Sequence, residues 1–350
     1  MDIIRFNNDY SQGAHPEVLA ALNAENGNRF DAYGTDRLCS EAADLIREAV
    51  CAPDAAVHFA VGGTQANVII LSSVLRTFES VLSPDTGHIH RHETGALEHL
   101  GHKIELLPHT DGKITAKQVE TAAKAFRDST IPEHITEPKA VYISFPTEYG
   151  TLYAKKELEE LSAVCREYGL YLFVDGARMA YGLASETNDL TLADFARLAD
   201  AFTIGGTKCG ALFGEAVVLI HPAFKDRFRS MLKQNGAMIA KGWLSGLQFK
   251  ALFRNGLYER IGKHACALAS RIRKAFLDAG IELMPDSPTN QLFVRLHANE
   301  AELLAKRFQF EDEAVLPDGD VVVRFCTSWY TEESDAEALL SALRDLPPRA

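Results

Sequence analysis

The chain of 350 residues is 47% hydrophobic and 24% charged, with a formal net charge of −12. That is the profile of a globular protein long enough for two domains. It carries no Lys/Arg-rich footprint for nucleic acid or an anionic membrane, and no apolar run nears the roughly 18 residues that span a bilayer.

Residues 1–10 lack a signal-peptide pattern. The elements then follow in order. Residues 40–50 place apolar side chains at helical spacing, and 57–60 read as a short strand broken by Gly62-Gly63. Residues 65–75 predict a helix, 104–107 a strand, and 115–126 a helix with Thr115 as its N-cap. Residues 140–145 are apolar and β-branched, which predicts a buried strand. A helix over 155–168 is closed by Gly169, and strands are expected over 170–174, 202–204 and 216–220. The alternation predicts an α/β fold with a mostly parallel sheet covered on both faces. Residues 222–253 read as one long helical stretch and 257–279 as another. Strands over 291–296 and 321–326 and a helical tail over 333–346 complete a smaller α+β unit. The division expected is a large domain over 1–245 and a small one over 246–350. The six cysteines, Cys39, Cys51, Cys165, Cys209, Cys266 and Cys326, form no C-x-x-C pair. Reduced thiols in a cytoplasmic protein, with no zinc site, are the expectation.

Four motifs carry chemistry. Gly62-Gly63-Thr64, between a strand and a helix, offers helix N-terminal N–H groups and a hydroxyl that suit a phosphate; the plain alternative is a turn. Asp175-Gly176-Ala177-Arg178 puts an acid at the end of a buried strand, where it can keep a ring nitrogen protonated or else cap a helix. Lys208, after Gly206-Thr207 and a strand, is placed for desolvation, which makes its amine nucleophilic; it follows Asp175 by 33 residues, room for one helix and one strand. His88, His90 and His92 invite a metal reading, but their spacing puts no three on one helix face and nothing completes a ligand set. A single imidazole stacked on a ring suffices otherwise. Taken together the motifs read as a site for pyridoxal-5′-phosphate (PLP), an electron sink that an acid, a lysine and a phosphate cradle must hold.

In that order the motifs resemble the PLP-dependent threonine aldolase and β-eliminating lyase family of fold type I, over roughly residues 7–324. Further matches are Asn8-Asp9 with His15-Pro16-Glu17, Tyr33-Gly34-Thr35-Asp36, Gly63-Thr64 with Ala66-Asn67, His88 with Glu93, and Arg324 to Thr327. The resemblance implies that Lys208 holds PLP as a Schiff base beside Thr207. Gly63 and Thr64 would bind the phosphate, His88 would stack on the ring, and Asp175 would face the ring nitrogen. Arg324, with Arg178 and Asn8, would bind the substrate carboxylate. His88, or Glu93 through a water, would take the β-hydroxyl proton. The implied reaction is retro-aldol cleavage of L-threonine or L-allo-threonine to glycine and acetaldehyde. The alternative on the same fold is β-elimination from an amino acid. An aminotransferase is a weaker fit, and a dinucleotide enzyme is disfavoured by the missing G-x-G-x-x-G spacing. A homodimer or homotetramer with shared active sites is also implied. Three departures stand out. Ile239 occupies the place of a phosphate-binding arginine, leaving Lys233 or Lys241 as substitutes. Phe145-Pro146-Thr147-Glu148-Tyr149 replaces a Glu-Asn-Thr-His segment. Gly62 replaces a serine.

Overall fold

The structure is a computed structural model that describes residues 3–346 and 349. Its twelve strands are β1 (Ile4–Arg5), β2 (Ala56–Ala60), β3 (Glu79–Pro84), β4 (Lys103–Leu107), β5 (Glu137–Ser144), β6 (Tyr171–Asp175), β7 (Ala201–Gly205), β8 (Glu215–Leu219), β9 (Gln291–Leu296), β10 (Phe308–Gln309), β11 (Glu311–Val315) and β12 (Val321–Cys326). Seven form the main sheet in the order β2-β8-β7-β6-β5-β3-β4. Only β8 runs against the rest, since it is antiparallel to both β7 and β2. The parallel pairs require crossovers, and helices such as Lys155–Tyr168 supply them.

One apolar cluster packs helices Arg37–Ala49, Lys155–Tyr168 and Trp243–Phe253 against one face of the sheet, and a second packs helix Gly63–Ser72 against the other. A third cluster belongs to the smaller unit, where β11-β12-β9 form an antiparallel sheet under helices Leu257–Asp278 and Glu333–Arg344. The caps read from sequence are present. The Thr115 hydroxyl accepts from Gln118 N, and Gly169 closes its helix in the left-handed region at φ 66°.

Two expectations need correction. The helical stretch over 222–253 is three helices, Pro222–Lys225, Phe228–Gln234 and Trp243–Phe253. Gly236 at φ +73° ends the second, and Gly242 lies so close to Gly34 that a Cβ there would sit 2.3 Å from its backbone nitrogen. β3 went unread because half of it is polar: Glu79, Ser80 and Ser83 are all buried. They are satisfied locally, with Ser80 Oγ donating to Glu105 Oε1 (2.6 Å) and Arg76 N donating to Glu79 Oε2 (2.7 Å). The structure also pairs β1 with β10, so the first described residues add a strand to the C-terminal unit.

Candidate active site

The functional side chains sit at one edge of the main sheet. Ala60, Pro84, Ser144, Asp175 and Gly205 end parallel strands there, and Glu215 begins the reversed one. This is where open α/β sheets bind ligands, because the loops that follow the strands diverge around a crevice. A hollow of about 360 Å³ opens at this edge, lined by Gly62, Gly63, Thr64, His88, Asp175 and Lys208, among others. A second, of about 660 Å³, shares Tyr10, His88, Glu148, Arg178 and Lys208 with it and extends to Arg324.

One end of this hollow is a helix N-terminus. Helix Gly63–Ser72 starts after Gly62, and a Cβ added at Gly62 or Gly63 would meet nothing within 4 Å. The loop that opens the helix therefore carries no side chain at these two positions and leaves its backbone uncovered there. Thr207 lines the same hollow, though its Oγ1 also accepts from Gly214 N at 2.9 Å.

Asp175 is buried and held from several sides. Asn67 Nδ2 and the Tyr142 hydroxyl donate to its Oδ2 at 2.8 and 2.9 Å, and Ala177 N donates to Oδ1 at 3.0 Å. A carboxylate so fixed keeps its orientation toward whatever cation the hollow receives. Asn67 also donates to Glu93 Oε1 (2.8 Å), which in turn meets His88 Nδ1 at 2.8 Å. The Glu93 side chain has no exposure, so it orients the imidazole from behind and does not reach the hollow.

Lys208 is half-buried between Arg178 and three acids. Burial, reinforced by Arg178, lowers its pKa, while Asp9, Asp175 and Glu215 hold it back. The result is an amine whose neutral, nucleophilic form is favoured over that of an ordinary lysine. Glu215 is raised by burial, with Lys208 easing the shift. Glu148 is raised by burial too. Its Oε1 accepts from Ser144 Oγ (2.6 Å) and His88 N (2.9 Å), while its Oε2 is buried with no partner.

Arg178 is clamped by Asp9 through two parallel bonds, Nε to Oδ2 at 2.6 Å and Nη2 to Oδ1 at 3.0 Å. Asn290 Nδ2 also donates to Asp9 (2.9 Å). Burial opposes ionisation of Asp9, but Arg178, Lys208 and these hydrogen bonds hold its carboxyl below the usual range. Arg324 is less committed. Its Nε is buried without a partner, Nη2 makes a long 3.4 Å bond to Asn7 O, and Nη1 lies 3.2 Å from Glu313.

The structure thus brings Gly63, Thr64, His88, Asp175, Arg178, Thr207 and Lys208 around one hollow and Arg324 to its extension. Asn8 stands apart: its Oδ1 accepts from Tyr10 N (3.0 Å) and Ser11 Oγ (2.8 Å), and its neighbour Asp9 faces the site. Sequence reasoning gave no role to Asp9, Asn67, Tyr142, Glu148, Glu215 or Asn290. Asp9, Asn67 and Glu148 lay inside quoted segments without a role of their own; Tyr142, Glu215 and Asn290 carried no local signal. Ile239 lines a separate hollow of about 200 Å³ with Tyr33 and Arg229. Neither Lys233 nor Lys241 lines the Lys208 hollow, and Lys233 Nζ sits 4.6 Å from the centre of the Tyr33 ring. Among the described residues no cluster of His, Cys, Asp or Glu could hold a metal ion, and no helix is long and apolar enough to cross a membrane.

Comparison with known proteins identifies the family and the fold. A low specificity L-threonine aldolase of Pseudomonas sp. is 30% identical over 344 residues, covering 97% of each chain. A solved threonine aldolase of Leishmania major superposes with a TM-score of 0.95 at 44% identity, covering 98% of this chain and 99% of that one. Aspartate aminotransferase of Thermus thermophilus, at 15% identity, a TM-score of 0.71 and coverage of 99% of this chain and 92% of its own, shares the fold alone. Residues 9–299 match the β-eliminating lyase family, whose members depend on PLP, and the chain belongs to that family.

Proposed function

We propose that this chain cleaves a β-hydroxy-α-amino acid, L-threonine or L-allo-threonine, to glycine and acetaldehyde with PLP held by Lys208. The carrying observation is the juxtaposition at one sheet edge of a pKa-lowered lysine, a fixed buried carboxylate and an open helix N-terminus. The residues fit the cofactor. Gly62, Gly63 and Thr64 offer N–H groups and a hydroxyl to its phosphate, Asp175 a carboxylate to its ring nitrogen, His88 a flat ring, and Lys208 an amine to its aldehyde. When bound, PLP withdraws electrons from the α-carbon of an amino acid.

The chain's own residues set which bond is exposed to that withdrawal. Arg324 has unspent donors and stands at the far end of the shared hollow, suited to a carboxylate. Pinning the carboxylate there and the amine near Lys208 fixes the rotation about the amino acid's α-carbon, which orients one of its bonds for cleavage. Arg178, steadied by Asp9, adds positive charge to the wall of the same hollow. Glu93 keeps His88 from rotating. The close relation to proteins named threonine aldolases supports the aldol bond as the one broken.

The test is an absorbance spectrum of the protein with PLP, before and after L-threonine, with acetaldehyde, pyruvate and ammonia assayed together. A visible band, abolished in Lys208→Ala, with acetaldehyde released is the expected result. Pyruvate from another substrate and no aldehyde from threonine would replace this reading by β-elimination. No band with excess PLP would remove Lys208 from its role.

A further inference from the structure

His88 opens a short helix, His88–Arg91, and His92 caps its end with its N–H donated to His88 O at 2.9 Å. One helical turn therefore separates the two imidazoles, and their rings lie 5.3 Å apart at 44°. Their commitments differ. His88 has Nδ1 engaged by Glu93. Among the described residues neither ring nitrogen of His92 has a hydrogen-bond partner. Yet His92 lines the larger hollow together with Lys208, Arg178 and Arg324, the groups assigned to the amine and carboxylate of the substrate. Glu93 is sealed behind His88 and cannot reach that space.

We infer that His92 is the group that receives the proton of the substrate's β-hydroxyl, an inference that rests on the aldolase reading above. With amine and carboxylate held at Lys208 and Arg324, the β-substituent of the substrate must enter the rest of the hollow, whose wall includes this unpartnered imidazole. The step balances without a co-reactant. The hydroxyl O–H bond breaks and its proton goes to the free ring nitrogen. The O–H electron pair becomes the second carbon–oxygen bond of the aldehyde. The α–β carbon bond breaks with its electron pair retained on the glycine fragment. The imidazolium gives its proton up to solvent, and a separate proton from solvent reaches the α-carbon to complete glycine. Burial, followed by His88, Arg324, Arg91 and Lys208, lowers the pKa of His92, so the ring is neutral and ready to accept at physiological pH.

The experiment uses the PLP-loaded enzyme and two variants, His92→Ala and His92→Phe, the second keeping a ring against His88. Three readouts are taken: cleavage of L-threonine, its response to added imidazole, and exchange of the glycine α-proton in D2O followed by NMR. Glycine has no β-hydroxyl, so its exchange does not need this proton acceptor. Expected is a fall in kcat of about 100-fold in both variants with KM within about threefold. Imidazole should restore part of the activity of His92→Ala, and glycine exchange should stay near wild type. A kcat near wild type would overturn the inference. So would a parallel loss of cleavage and exchange, which would make His92 a group that merely shapes the site. A wild-type protein that cleaves no β-hydroxy amino acid would instead overturn the aldolase reading itself.

Discussion

At the scale of single residues, the site divides into groups held from behind and groups left free. Asp175 is held by Asn67, Tyr142 and Ala177. Replacing it by Asn keeps the shape and removes the charge proposed to face the cofactor's ring nitrogen. Asp175→Asn is expected to lower kcat by about 100-fold or more, with the protein still folded by circular dichroism. Arg178 is held by Asp9, and Asp9→Asn should loosen it. The expected outcome is a KM for threonine raised about tenfold, read from initial rates. The sequence made Asp175 and Lys208 legible because each follows an apolar run, and a polar residue just beyond a buried strand has few other reasons to be there; His88 was legible only from the segment His88 to Glu93 and the family resemblance. Asp9 was one residue from the chosen Asn8. Nothing local distinguishes the two, because what selects Asp9 is Asn290, 281 positions away in the chain.

At the scale of elements, the small sheet carries an irregularity beside Arg324. β11 pairs with β12 in register up to Asp312 and resumes at Ala314, leaving Glu313 as the extra residue of a bulge. Bulges re-aim side chains, and this one turns Glu313 toward Arg324 Nη1. If Arg324 takes the substrate carboxylate as proposed, this internal carboxylate competes for the same guanidinium. Glu313→Gln is therefore expected to lower KM about threefold with kcat unchanged. Close packing is tested elsewhere. A Cβ at Gly246, in helix Trp243–Phe253, would lie 2.5 Å from Cys39 Cα in helix Arg37–Ala49. Gly246→Ala should cost about 1–3 kcal/mol by urea unfolding, since backbone cannot yield as a side-chain tip can. Elements were legible where periodicity was clean. They were not where a strand is half polar, as β3 is, or where a glycine interrupts a helical pattern that continues on either side, as Gly236 does.

At the scale of the whole molecule, pH bears on stability through groups far from the chemistry. Burial, with Arg229 and Arg47 adding to it, pushes the pKa of His58 down to about 4. The folded chain keeps this imidazole neutral, whereas the unfolded chain protonates it below its ordinary value of about 6.5. Stability from this group is complete above that value and is lost as pH falls from there toward 4, by up to about 3 kcal/mol. His58→Phe should flatten that part of the profile in melting experiments between pH 4 and 7.

The pairing of β1 with β10 has a further consequence during synthesis. Ile4 N donates to Arg307 O at 3.0 Å, and Cys326 N donates to Phe6 O at 2.6 Å. Phe6, fully buried between Phe308 and Phe325 in the finished protein, has neither partner until those two residues have left the ribosome. β1 is thus translated well before the strands that place it, and an apolar aromatic waits meanwhile without its final cover. That makes the β1 segment a natural target for chaperone capture, and completion of the small unit around β10 and β12 the event that sets it free.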